Sequence, residues 1–234
     1  MAHAKHQKGF DIFELANRLE ARLREEGVPF NEHDLPDFRC FDFPKSVPPN
    51  LEMLPLTKRH RAFDPSRTLL CAFENDRALY NLLRNLDLLI DEIKRCYWGC
   101  CGFDLSVCVD GDLSEQWAYL YLDMLITGYM LVRGVRVIPN WRVGSTPTLV
   151  ALQSYPQDIC FAAGTLGCAQ RHVPSGFIHA VQKILTTNPS ALIVFGPLRK
   201  EYERVLNDWH IPYLVKKDYR RDSYDGKYRN RKAA

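Results

Sequence analysis

The chain has 234 residues, 46% hydrophobic and 12% aromatic, enough to bury the core of one sizeable α/β domain rather than two small ones. Its formal net charge is only +3, and its eight cysteines are scattered mostly through apolar runs, so neither a uniform polycation nor a disulfide scaffold describes it. No apolar run reaches the roughly 20 residues of a membrane helix, and Met1 to Gly9 carries no apolar signal segment, so a soluble, cytoplasmic protein is expected.

Residues 1–9 read as a disordered start. From Phe10 to Glu26, Phe10, Phe13, Leu15, Ala16, Leu19 and Leu23 recur at helical spacing, and Gly27 ends the pattern, which predicts an amphipathic helix. Residues 28–67 are rich in proline and poor in long apolar runs, so they are expected to wrap the body as extended segments, with short strands at Phe38–Phe43 and Met53–Leu56.

After Arg67 a strand-then-helix unit repeats, and the segment 68–218 is the expected core. Thr68–Phe73 is strand-like, Asn75 or Asp76 offers a helix cap, and Leu79, Leu82, Leu83, Leu86, Ile90 and Ile93 then share one helical face. Trp98–Phe103 precedes a helix from about Ser114 to Val132, where Asp112 and Glu115 have capping-box spacing. Arg136–Ile138 precedes a short helix near Pro147–Gln153, and Ile159–Ala163 precedes one from Ser175 to Thr186. Leu192–Phe195 leads to a helix from Leu198 to Trp209, and Pro212–Val215 closes the series. Such alternation implies a parallel sheet with right-handed crossovers. With strands from the wrap the count permits an incomplete or complete β/α barrel; without them it fits an open doubly wound sheet.

Either layout gathers ligands at the carboxyl ends of the strands, where the βα loops meet. Those ends carry Glu74 and Asp76, Asp104 and Ser106, Asn140 to Arg142, Gly164 to Cys168, and Gly196. The stretch Val137-Ile138-Pro139-Asn140-Trp141-Arg142-Val143-Gly144 turns an apolar run abruptly into an amide, an aromatic plane and a guanidinium fork. Gly164-Thr165-Leu166-Gly167-Cys168 follows a strand and offers backbone N–H groups to a phosphate, but it lacks the Lys-Ser/Thr of a P-loop and the spacing of a dinucleotide fingerprint, so no nucleotide cofactor is expected. His172 and His179 flank that loop. Cys96, Cys100, Cys101 and Cys108 form the only cysteine cluster, without the paired spacing of a zinc site, so no metal is expected there.

The charge is unevenly placed. Lys216, Lys217, Arg220, Arg221 and four more Lys or Arg up to Lys232 outnumber three Asp by five, leaving −2 for the first 215 residues. Tyr219, Tyr224 and Tyr228 interleave with these cations in a basic tail, 219–234, that suits nucleic acid through counterion release and base stacking; a solubilising end is the plain alternative.

Phe73-Glu74-Asn75-Asp76, Phe103-Asp104-Leu105-Ser106, Gln116-Trp117, Gly134 through Arg142, Ala163 through Cys168 and Val194-Phe195-Gly196 occur in the order found in an uncharacterised family of phages and mobile elements, and the chain resembles it over residues 68–218. V-I-P-N-x-x-x-G is the most specific part. Asn75 stands where that family has a second acidic residue, and apolar Leu125 to Met130 stand where it has an Arg-bearing helix. The resemblance implies a phage or antiviral-defence setting and no particular reaction.

These residues together lead to the expectation of a nucleic-acid-acting hydrolase, of the DNA glycosylase type, cleaving the N-glycosidic bond of a flipped base. Asp104, Glu74 and Asn140 are the expected catalytic groups. Gln116, Trp141, Arg142, Gly164, Thr165, Gly167 and Gly196 are expected to bind substrate, and Lys216, Lys217, Arg220 and Arg221 the phosphates. A metal-dependent nuclease using Glu74, Asp76 and Asp104, and a non-enzymatic binding module, are the alternatives.

Overall fold

The computed structural model describes residues 11–164 and 176–216. The first helix, α1 (Ile12–Glu25), starts where Asp11 accepts from the backbone N–H of Phe13 at 2.9 Å and of Glu14 at 3.2 Å, and it buries Leu15, Leu19 and Leu23. The partner of that stripe is α4 (Leu113–Val132), buried almost without interruption from Leu120 to Leu131 because it lies between α1 and the sheet.

Among the described residues, seven parallel strands follow the chain in order: β1 (Glu52–Pro55), β2 (Thr68–Ala72), β3 (Gly99–Phe103), β4 (Val137–Ile138), β5 (Cys160–Gly164), β6 (Ala191–Phe195) and β7 (Tyr213–Lys216). They form a sheet of four and a sheet of three, joined by one bridge between Asn140 and Ala162. The remaining helices are α2 (Asp76–Leu83), α3 (Leu86–Cys96), α5 (Gly176–Thr187) and α6 (Lys200–Asp208), with 3₁₀ turns at Leu56–Arg61, Pro65–Arg67 and Thr146–Ser154.

The strand order never reverses, so the topology is not doubly wound, yet no closed barrel forms either. What the sheet does is curl. Adjacent strands lie about 4.8 Å apart, which would separate β2 from β6 by roughly 19 Å in a flat sheet. Phe73, after β2, nevertheless stacks on Phe195 of β6 with ring centroids 5.6 Å apart. Alternate strand residues Leu69, Cys71, Cys101, Ile138, Cys160, Ala162, Ile193 and Phe195 fill the concave side. The opposite set, including Leu70, Cys100, Val137, Phe161 and Leu192, faces the helices. The open side lies between β7 and β1, where the Lys216 ammonium donates to the Leu51 carbonyl at 3.0 Å.

Two elements differ from expectation. Phe38–Phe43 is no strand: its aromatic residues are apolar because Phe38 and Phe43 gather around Tyr155, and the Phe38 N–H donates to the Ser154 carbonyl instead of to a ladder. The wrap is also less extended than its prolines imply, since two of the 3₁₀ turns lie within it. No helix of the described residues is long and apolar enough to cross a membrane.

Candidate functional site

The strands of both sheets are parallel, so the loops after β2, β3 and β4 leave from the same end, and side-chain contacts link them. After β2, Asn75 caps α2 by accepting from the Ala78 N–H at 3.0 Å. The next residue, Asp76, reaches β3's exit, where its Oδ1 accepts from the Ser106 N–H at 3.1 Å and hydroxyl at 2.9 Å. Glu74 turns the other way and accepts from the Thr57 N–H at 3.0 Å and from the Thr57 hydroxyl.

After β3, Asp104 meets the residues that follow β4. Its Oδ1 accepts from Asn140 Nδ2 and from Arg142 Nε, each at 2.7 Å, and its Oδ2 accepts from Arg142 Nη2 at 2.8 Å. This is a bidentate ion pair with both side chains largely buried, 8% and 17% exposed. Asn140 also donates to the Phe103 carbonyl at 3.1 Å, while its Oδ1 is buried without a hydrogen-bond partner among the described residues. The backbone around Asn140 forms the bridge to β5, through Ala162 N–H to the Pro139 carbonyl at 2.8 Å and Trp141 N–H to the Ala162 carbonyl at 2.7 Å. Asp104, Asn140 and Arg142 therefore sit where the two sheets meet. At β5's end Gly164 packs on the Phe73 ring, which a side chain there would displace; Gly196, at β6's end, is paired to the Lys216 carbonyl at 2.9 Å.

Other expected residues serve the scaffold. Trp141 is 7% exposed, donates from Nε1 to Thr187 Oγ1 at 3.1 Å, and lies under the Lys183 ammonium, 5.3 Å from the ring centroid, so its plane is packed rather than presented to a base. Gln116, 2% exposed, spends both ends internally: Nε2 donates to the Gly111 carbonyl at 2.8 Å, and Oε1 accepts from the Ser145 N–H at 2.6 Å and hydroxyl at 2.8 Å. A Cβ on Gly144 would collide with that same Oε1, which explains the glycine. Glu74, Asp76 and Asp104 each answer to a different partner, and among the described residues no three acidic, cysteine or histidine side chains gather as a cation site. Thr165, Gly167, His172, Lys217, Arg220 and Arg221 lie outside the described residues. His179 lies in α5; burial and the Lys183 ammonium lower its pKa to about 4.

Sequence reasoning passed over Asp123. It lies on the sheet-facing side of α4, 7% exposed, and accepts from the Leu105 N–H at 3.1 Å. Desolvation, then the charge of Asp104, push its pKa well above the usual carboxylate value. The signal available was a lone carboxylate in the apolar run Leu120 to Leu131.

Asp123, Thr127, Asn140, Arg142 and Tyr155 line a cavity with Phe103, Leu120, Met124, Ala151 and Leu152; about 20 Å³ of it admits the centre of a water molecule. The rim above is edged by exposed cations, Arg77 in the first turn of α2 and Arg199 and Lys200 at the start of α6. No protein-family model, curated protein or solved structure matches the chain.

Proposed function

We propose that the chain is a nucleic-acid-acting hydrolase of the N-glycosylase type, working at the rim beside Asp104, Asn140 and Arg142. One observation carries this reading: two carboxyl groups meet at Leu105 in unlike environments, Asp104 in an ion pair with Arg142, and Asp123 buried and accepting from the Leu105 N–H. Glycosidic hydrolysis employs such a pair of unlike carboxyls, here with Asp104 nearest the rim to offset charge on the sugar and Asp123, buried beneath it, holding Leu105 and with it Asp104 in place. Arg77, Arg199 and Lys200 supply cations for the phosphates. Trp141 and Gln116 drop out of the substrate list, because both are buried in the scaffold.

The binding-module reading draws on a different fact, that both Asp104 oxygens are already engaged. Incubating the full chain with single- and double-stranded DNA, with unmodified and modified bases and with or without EDTA, separates the readings. Release of free base, insensitive to EDTA and lost in Asp123→Asn, is the expected result. Binding without release favours the module, and EDTA-sensitive strand breaks favour a nuclease.

A further inference from the structure

We propose that the cavity between α4 and the rim is a binding site for an internal water that ties Asn140 Oδ1 to the Asp123 carboxyl and the Tyr155 hydroxyl. Size sets the first limit. A water needs roughly 10–15 Å³ of such space, and the cavity offers about 20 Å³, enough for one and too little for a base, sugar or phosphate.

Chemistry sets the second. An empty or apolar-filled cavity would leave Asn140 Oδ1 as an orphaned acceptor, which destabilises the fold. The orphan is no mistaken amide orientation, because Asn140 Nδ2 already donates to two acceptors, Asp104 Oδ1 and the Phe103 carbonyl, and reversing the amide would set oxygen against oxygen. A cation is disfavoured by the lining, which includes the Arg142 guanidinium. An anion has room in charge but not in volume. Water alone satisfies both limits, since it donates to Asn140 Oδ1 while retaining a second donor and two acceptor positions.

The remaining polar groups are suitably placed for it. Asp123 and Thr127 are four residues apart on α4 and so share one face, and both line the cavity together with Tyr155. The Asp123 carboxyl offers two oxygens, and its other known partner is the Leu105 N–H. The site thus lies one layer beneath the Asp104–Arg142 pair and links it to the buried acid. This assignment stands whether or not the rim is catalytic.

The test uses the full chain. In a high-resolution crystal structure, solvent density should stand within hydrogen-bond distance of Asn140 Oδ1 and of Asp123 or Tyr155, and NMR should show a cross-peak between long-lived water and the Asn140 side-chain amide. Ala151→Val, which narrows the cavity, should abolish the cross-peak and lower Tm by roughly 2–6 °C, because the displaced water leaves its acceptor unpaired. Thr127→Ser, which keeps the hydroxyl and removes a methyl, should retain the cross-peak. A cavity without density and without the cross-peak overturns the proposal, as does a Tm that rises in Ala151→Val, the result expected for filling an empty void. Base release by the wild-type chain is a separate readout, so failure of the hydrolase reading is distinguishable from failure of the water site.

Discussion

Asp104→Asn is the substitution that most directly tests the rim. Asparagine has nearly the same shape, but the ion pair it replaces is 8% and 17% exposed and has three hydrogen bonds from Asn140 and Arg142 converging on two oxygens. An amide can keep its oxygen toward Asn140 Nδ2 and Arg142 Nε, but its NH₂ must then oppose Arg142 Nη2, donor against donor. The loss comprises one charge-assisted hydrogen bond, that opposition, and a largely buried guanidinium left without its countercharge. Breaking a buried pair by removing one partner costs about 3–5 kcal/mol, and the two retained hydrogen bonds place this case near the lower figure. For a chain of this size roughly 3 kcal/mol corresponds to a Tm lower by about 6–12 °C. Calorimetry measures this directly, and a double-mutant cycle with Arg142→Gln isolates the pair, with about 2 kcal/mol of coupling expected. A Tm within about 2 °C of wild type, or coupling near zero, would refute the claim that this is a buried, structurally committed pair. It follows that base release by this variant must be compared at a temperature where it is fully folded.

Three further outcomes are expected. Gly144→Ala drives a methyl into Gln116 Oε1 and Val107, and should cost about 2–3 kcal/mol, read as a lower denaturant midpoint at unchanged m. Asp123 has a folded pKa above its unfolded value near 4, so the folded state retains a proton that the unfolded state has released, and wild-type stability falls as pH rises through that window; Asp123→Asn should gain relative to wild type as pH rises, measured as Tm against pH. His179 has the opposite sign: with its pKa lowered to about 4, stability is lost as pH falls from about 6.5 toward 4, and His179→Phe should flatten that acid arm in the same measurement.

The order of strands and helices was legible because each strand is a short apolar run followed by a cap and a helical stripe, as in Thr68–Ala72, Asn75 and Leu79. The break between α2 and α3 was not, since Leu79, Leu83, Leu86, Ile90 and Ile93 keep one unbroken helical spacing across Arg84 and Asn85. Strand ends pointed to Glu74, Asp104, Asn140 and Arg142 because parallel topology alone collects them on one rim. What the rim residues do with their side chains was hidden: Trp141 and Gln116 have binding-type chemistry that the fold turns inward, and Asp123 acquires its character only from the apolar packing of α4 around it. Local sequence reports which groups are present, whereas their protonation and accessibility are set by neighbours far away in the chain.

The single bridge at Asn140 and Ala162 gives the sheet a line of least resistance. Within the three-strand sheet the ladders are continuous, five paired positions between β5 and β6 and four between β6 and β7, but here cohesion of the backbone rests on the hydrogen bonds flanking Asn140. Local opening follows such seams, so the four-strand and three-strand halves should exchange their amide hydrogens as separate units, with the amides of Trp141 and Ala162 exchanging faster than those inside the β5–β6 ladder. A ligand gripping the Asn140–Arg142 rim would stitch the halves together, and its arrival would be registered as slowed exchange at two amides that it never touches.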